Sequence, residues 1–151
     1  MADGEYCYHH PRPALTADII VVTRESKPRV LLILRKHPPF AGVWALPGGF
    51  VDQNEPLEAA ARRELREETG LEVGELAQLQ TYGDPGRDPR GWTVSVVFVA
   101  IVDPTATYPR AGEDAAQAAW YPIDRLPPLA FDHQRIVDFA RQWLTSHFGE
   151  W

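Results

Sequence analysis

The sequence predicts an α/β domain in which a β-sheet packs between helices. Three observations carry that expectation. A glycine-hinged loop from Gly48 runs into one uninterrupted helical stretch, Leu57 to Thr69. Runs rich in β-branched residues flank it, Leu15 to Thr23 before and Trp92 to Val102 after. A helical stretch from Phe131 to Phe148 closes the order, with Ile136, Phe139, Ala140, Trp143, Leu144 and Phe148 on one apolar face.

Taken in order, residues 1–13 read as an N-terminal arm. Cys7, His9 and His10 raise a zinc reading, but no second ligand pair stands at finger-like spacing. Tyr6 and Tyr8 instead suit packing of the arm on the domain or on a partner subunit, so a homodimer is among the expectations. Leu15 to Thr23 and Val30 to Arg35 are strands joined by the polar turn Arg24 to Arg29, and the pair reads as a hairpin. Arg35 and Lys36 end the second strand, either as solvated edge charges or as contacts for an anion. His37 to Val43 is a loop punctuated by Pro38, Pro39 and Gly42. Trp44-Ala45-Leu46-Pro47 leads into the glycine pair Gly48-Gly49, where backbone can approach a ligand closely. Glu72 to Tyr82 reads as a strand with an irregular start. Gly83 to Gly91 is a loop rich in glycine and proline that carries Arg87 and Arg90. Ala115 to Tyr121 is a short strand.

The central helix carries the chemistry. Asn54 suits its N-cap and Pro56 its first turn. Gly70 suits a left-handed C′ residue, followed by the apolar Leu71. Glu64, Glu67 and Glu68 share an arc of roughly 100° on one helical face. Leu57, Ala61 and Leu65 lie on or beside that arc, so the acids continue the apolar face. Three carboxylates at a helix C-terminus oppose the dipole and one another. Two readings remain: a surface helix laced with pairs to Arg62, Arg63 and Arg66, or a site for a hard divalent cation, which prefers oxygen ligands.

The stretch Gly49, five residues, Glu55, seven residues, then Arg63-Glu64-Leu65-Arg66-Glu67-Glu68-Thr69-Gly70-Leu71 resembles the complete Nudix box. Every fixed position of that long gapped signature is filled as the family requires. The resemblance implies a Nudix α/β/α sandwich with a mixed β-sheet between helices. It implies hydrolysis of a nucleoside diphosphate linked to another moiety, through attack of water at phosphorus. It implies Mg²⁺, with Mn²⁺ able to substitute, held by Glu64, Glu67, Glu68 and the carbonyl of Gly48. Arg63 would orient and charge-balance those glutamates, and Glu55 would anchor the loop or join a second metal shell. The general base varies in the family; here it is a box glutamate or an acid such as Glu113 or Asp114, whose other reading is a solvated acidic turn.

The Asp88-Pro89-Arg90-Gly91 loop, the Leu129-Ala130-Phe131-Asp132-His133 run and the segment Pro13 to Asp18 look similar to ADP-ribose pyrophosphatases and to Nudix domains of NAD-metabolism proteins. That likeness implies ADP-ribose, split to AMP and ribose 5-phosphate. Arg35, Arg87 and Arg90 would meet phosphate or ribose, Trp92, Trp44 or Phe131 would stack adenine, and His133 belongs to the substrate-binding run. A nucleoside triphosphate, including an oxidised one, is the alternative substrate. A ligand-sensing regulator of NAD metabolism and a scaffold without catalysis are the rival classes. The regulators add a winged-helix domain beyond this length, and the intact glutamates disfavour both rivals.

Composition sets the outer bounds. The 151 residues suit one domain with a sizeable core. Net charge is −6, which argues against a general nucleic-acid surface. A bound cation supplies local positive charge for a phosphorylated small molecule. One cysteine rules out an intrachain disulfide framework. No basic-then-apolar leader and no apolar run of the ~20 residues that span a membrane is apparent, so a cytoplasmic location is expected.

Overall fold

The computed structural model describes residues 5–105 and 115–149. Its elements are β1 (Ala14–Thr23), β2 (Arg29–Arg35), β3 (Trp44–Ala45), β4 (Gly48–Phe50), α1 (Leu57–Thr69), β5 (Ala77–Tyr82), β6 (Thr93–Val102), β7 (Ala115–Pro122) and α2 (His133–Phe148). The strands form one mixed sheet with the path β3-β2-β1-β6-β5, β4 pairing with β1 and β7 with β2. β1 and β6 run parallel from Ala14↔Thr93 to Thr23↔Val102.

Period-two alternation explains the layering. Ile20, Val22, Val30, Leu32, Val97 and Val99 face one side and pack with Ile136, Val137, Ala140 and Leu144 of α2. Ala17, Ile19, Val21, Leu31, Val96 and Phe98 face the other and pack with Ala60, Ala61 and Leu65 of α1. The expected sheet between two helices is therefore the observed fold.

Three expectations need correction. β1 and β2 are not a full hairpin: they share only the register pair Val22↔Val30. β2 pairs along its length with β7 instead, from Arg29↔Pro122 to Arg35↔Ala115. The edge of β1 thus freed accepts β4, through Thr16↔Phe50, Ala17↔Gly49 and Asp18↔Gly48. That pairing brings the glycine loop onto the central strand. Asn54 is not the N-cap: it has φ 62°, and Pro56 precedes the first helical residue. Asparagine tolerates the left-handed region as readily as it caps, and here the turn takes it. Glu55 closes that turn, its N–H donating to Asp52 O at 3.1 Å and its Oε1 accepting from Asp52 N at 3.0 Å. Finally, Phe148 is exposed and Val137 takes a place in the core that the apolar pattern left out. Gly70 does close α1, at φ 74° with its N–H donating to Arg66 O.

Candidate active site

The cleft is built where β4 crosses between β1 and α1. Gly49 has no Cβ; one added there would stand 2.6 Å from the Glu64 carboxylate. One added to Gly48 would stand 2.0 Å from Asp18 Oδ1 and 2.7 Å from Ala17 O. The two glycines therefore admit carboxylates from opposite sides of the same backbone. Gly48 N donates to Glu68 Oε1 at 2.8 Å, tying the end of α1 to the loop.

Arg63 organises the acids of the helix. Its Nε and Nη2 bond Glu55 Oε2 and Oε1 at 2.8 and 2.9 Å. Its Nη1 donates to Glu64 Oε1 at 2.8 Å and to Glu67 Oε2 at 3.2 Å, and Nη2 reaches Phe50 O at 3.0 Å. Glu55 above all, and Glu64 with it, hold the guanidinium well above its ordinary pKa against the opposing effect of burial. Among the described residues, no three His, Cys, Asp or Glu side chains form a ready-made metal cage. The donor set nevertheless fits a hard divalent cation: Glu64 closes on bare Gly49, Glu68 bonds Gly48 N, Glu67 lies one turn on from Glu64, and Arg63 is the counter-charge of Glu64 and Glu67. Glu68 is buried, and desolvation pushes its pKa up to about 8, with Glu64 and Asp18 adding to the rise and the Gly48 N–H opposing it.

The cleft has two parts joined at Arg35, Gly48, Gly49 and Phe50. The wider part, about 370 Å³, includes Lys36, Arg63, Glu64 and Glu68 in its walls. The narrower part, about 80 Å³, is walled by Asp18, Ser95, Arg87, Arg90, Phe131 and His133 among others. The narrow recess alone is too small for a nucleotide.

The sequence-expected substrate residues divide sharply. The Arg87 side chain is 6% exposed and occupied: Nε and Nη2 grip Asp132 Oδ2 and Oδ1 at 2.9 and 2.6 Å, and Nη1 donates to Ser95 Oγ at 2.8 Å. It staples the loop to the start of α2. Arg90 donates from Nε and Nη2 to Asp88, and its guanidinium lies over the rings of Phe50 and Phe131. Arg35 donates to Pro39 O at 2.8 Å and lies over Phe131. His133 Nδ1 accepts from Leu46 N at 3.0 Å, and burial lowers its pKa to about 4, so the ring is neutral. Trp92 is 51% exposed and is not among the cleft walls. Trp44 packs edge-on against Tyr121 as part of the core. Glu113 and Asp114 lie outside the described residues. Cys7, His9 and His10 are exposed.

Two cleft residues escaped sequence reasoning. Asp18 is buried, and desolvation raises its pKa to about 7, against the lowering effects of Arg87 and Ser95. Its signal was an acid inside an apolar strand, which needs a reason to be there. Phe50, next to the glycine pair, is 41% exposed. Its signal was a large ring in a loop otherwise built for close approach.

A family model for the NUDIX domain matches residues 12–141. An ADP-ribose pyrophosphatase of Methanocaldococcus jannaschii is 44% identical over 131 residues, covering 87% of this chain and 75% of that protein. A putative 8-oxo-dGTP diphosphatase 2 of Mycobacterium tuberculosis is 52% identical over 115 residues, covering 74% of this chain and 79% of that protein. The NUDIX domain of Shewanella oneidensis NrtR, solved as a cocrystal with ADP ribose, superposes with a TM-score of 0.83 at 34% identity, over 90% of this chain and 91% of that one. The chain belongs to the Nudix family, in the class of Nudix pyrophosphohydrolases.

Proposed function

We propose that this chain hydrolyses ADP-ribose to AMP and ribose 5-phosphate. The observation that carries the reading is the two-part cleft: an acidic, metal-fitting end continuous through Gly48-Gly49-Phe50 with an arginine- and aromatic-walled recess. A diphosphate at the junction places one half of the ligand in each part. The pyrophosphatase relative and the ADP-ribose cocrystal of a similar domain support that choice.

Glu64, Glu67, Glu68 and the Gly48 carbonyl are the residues that would hold Mg²⁺, or Mn²⁺ in its place. A cation bound there neutralises diphosphate charge and lowers the pKa of water. Arg63 positions the carboxylates through the bonds already described. Arg35, which walls both parts, is a cation that would meet the diphosphate. His133, held as the neutral tautomer with Nδ1 accepting, walls the recess with Phe131 and Arg90. Arg87 serves the site by holding Asp132 and Ser95 in place. The base is a box glutamate or a distant acid, Glu113 or Asp114.

The wider reading is of a single Nudix domain over residues 1–151, acting in the cytoplasm on a small nucleotide, without nucleic acid or membrane as partner. No helix among the described residues is long and apolar enough to cross a membrane. A homodimer through the arm, with its exposed Tyr6 and Tyr8, belongs to the same reading.

Turnover of a nucleotide panel with product identification tests this function. The expected result is AMP and ribose 5-phosphate, with kcat/KM for ADP-ribose above that of any deoxynucleoside triphosphate. Faster pyrophosphate release from a triphosphate, 8-oxo-dGTP above all, transfers the assignment to the reading favoured by the mycobacterial relative. Tight ADP-ribose binding without metal-dependent turnover would assign the chain to the sensors.

A further inference from the structure

Phe50 and Phe131 approach the narrow part of the cleft from different elements, and both wall it. The Arg90 guanidinium carbon lies 4.7 Å from the Phe50 ring centroid and 5.2 Å from that of Phe131. A flat cation thus stacks on two rings in a cleft that a nucleotide has to enter. Phe50 remains 41% exposed, although an apolar ring gains by burial.

Other features fix this arrangement. Phe131 has φ 52° and Phe40 φ 60°, a backbone region costly for bulky residues, and their rings meet at 4.8 Å. Such strain persists where surrounding structure imposes it. Arg35 lies 5.0 Å from the same Phe131 ring, so two like charges gather there. Asp88, almost wholly buried, pairs with Arg90, and its Oδ1 also accepts the Arg90 backbone N–H at 2.9 Å. The Asp88 carboxylate therefore keeps a partner if the Arg90 side chain moves.

We propose that Phe50 and Phe131 are the walls of a nucleobase slot, and that the Arg90 guanidinium is its resting occupant, swung outward when a base enters. The inference rests on the reading that the ligand is a nucleotide. Guanidinium is a fitting stand-in for a base, being flat, weakly hydrated and able to stack on aromatic faces. A base held between the two rings replaces both cation–π contacts of Arg90, and the Arg90 backbone N–H stays on Asp88 when the side chain leaves, so a base can compete for the slot. Neither ring depends on which base arrives, so the slot provides affinity and leaves base identity to other groups.

The test is calorimetric titration of the full chain with AMP and, separately, with ribose 5-phosphate. Phe50→Leu should weaken AMP binding tenfold or more, Phe50→Tyr should restore it, and ribose 5-phosphate affinity should stay unchanged in both. Arg90→Ala should bind AMP at least as tightly as the wild type, because the occupant is gone. Wild-type AMP affinity in Phe50→Leu, or no measurable AMP binding by the wild type, overturns the slot. A loss in Arg90→Ala as large as that in Phe50→Leu overturns the displacement, since the arginine would then be a fixed contact. AMP binding that depends on Phe50 in a protein that does not split ADP-ribose removes the substrate reading and leaves the slot standing.

Discussion

The Arg63 guanidinium grips Glu55 with two hydrogen bonds, Nε to Oε2 at 2.8 Å and Nη2 to Oε1 at 2.9 Å, across the turn that begins α1. Arg63 lies in the middle of the helix and Glu55 before its first residue. The pair therefore fixes the direction in which the loop enters the helix. The same guanidinium also holds Glu64 and Glu67, while Glu64 stands against Gly49 and Glu68 against Gly48.

Glu55→Gln should destabilise the fold by about 1.5–3 kcal/mol at neutral pH, the worth of a charge-assisted hydrogen bond. Arg63 lowers the Glu55 pKa from 4.5 to about 2, burial opposing and the Asp52 N–H assisting. A carboxylate whose pKa is depressed on folding contributes stability that is complete above its unfolded value. That contribution fades as pH falls from about 4.5 toward 2. Denaturant unfolding of both proteins across this window checks it: the wild-type advantage should shrink as acid is added. A difference independent of pH would mean that shape, not charge, is what Glu55 contributes.

Alanine at the two glycines should have opposite consequences. In Gly49→Ala the atoms nearest the new methyl belong to the end of the Glu64 side chain, not to backbone. Thermal stability should stay close to wild type while turnover falls by roughly 100-fold, because the carboxylate is moved. In Gly48→Ala the methyl meets Ala17 O at 2.7 Å and Asp18 Cα at 2.8 Å, which are backbone atoms of β1. Its φ of 157° adds strain. Here β4 has to leave β1, and stability should fall by about 2 kcal/mol or more. Melting curves beside activity separate the two; equal melting losses would refute the contrast.

What the sequence disclosed and what it withheld follow from the range of the interactions involved. The helix, its left-handed Gly70 stop, the alternating strands and the acidic arc are local patterns, and each is present in the structure. The β2–β7 pairing joins residues far apart in the chain, and nothing in either strand names its partner. Reading β1 and β2 as a hairpin followed from their adjacency, and adjacency lost to β4, which needed the edge of β1 at Asp18. Asn54 failed as a cap because one residue type serves two backbone roles. Arg87 and Arg90 look alike on one loop, yet Arg87 is fixed by Asp132, a residue from the start of α2 that only the fold brings near. Phe50 and Asp18 were legible as oddities, a ring beside glycines and an acid among valines, without a pattern to gather them.

Removing a charge from the acidic arc should cost activity without costing the fold. Glu64→Gln and Glu67→Gln should each lower Mg²⁺-dependent turnover by roughly 100-fold or more. Both side chains already share Arg63, and both lie in the last turns of α1, where carboxylates oppose the helix dipole. The metal-free melting temperature should therefore be unchanged or slightly raised for the half-exposed Glu67→Gln, and lowered modestly for Glu64→Gln, which loses the charge on its 2.8 Å bond from Arg63. Turnover measured over a Mg²⁺ titration checks the assignment, and near-wild-type rates in both variants would remove these glutamates from the metal site.

His133 should make the protein acid-sensitive between pH 6.5 and 4. It sits buried at the start of α2, and its Nδ1 accepts the Leu46 N–H, so only the uncharged ring satisfies the site. Burial lowers its pKa from 6.5 to about 4, with Arg87 and Arg35 acting in the same direction and Asp132 against it. Between those values the unfolded chain binds a proton that the folded chain refuses. Stability therefore rises with pH across the window, is complete above about 6.5, and stops changing below about 4. The span is worth roughly 3 kcal/mol on the scale of 1.36 kcal/mol per pKa unit. His133→Asn can still accept from Leu46 but takes up no proton. The wild-type minus variant unfolding free energy, followed by denaturant from pH 7 to pH 4, should fall by an amount of that order. A flat difference would mean that the ring is protonated in the folded protein. The Leu46 bond would then have to be made by some group other than Nδ1.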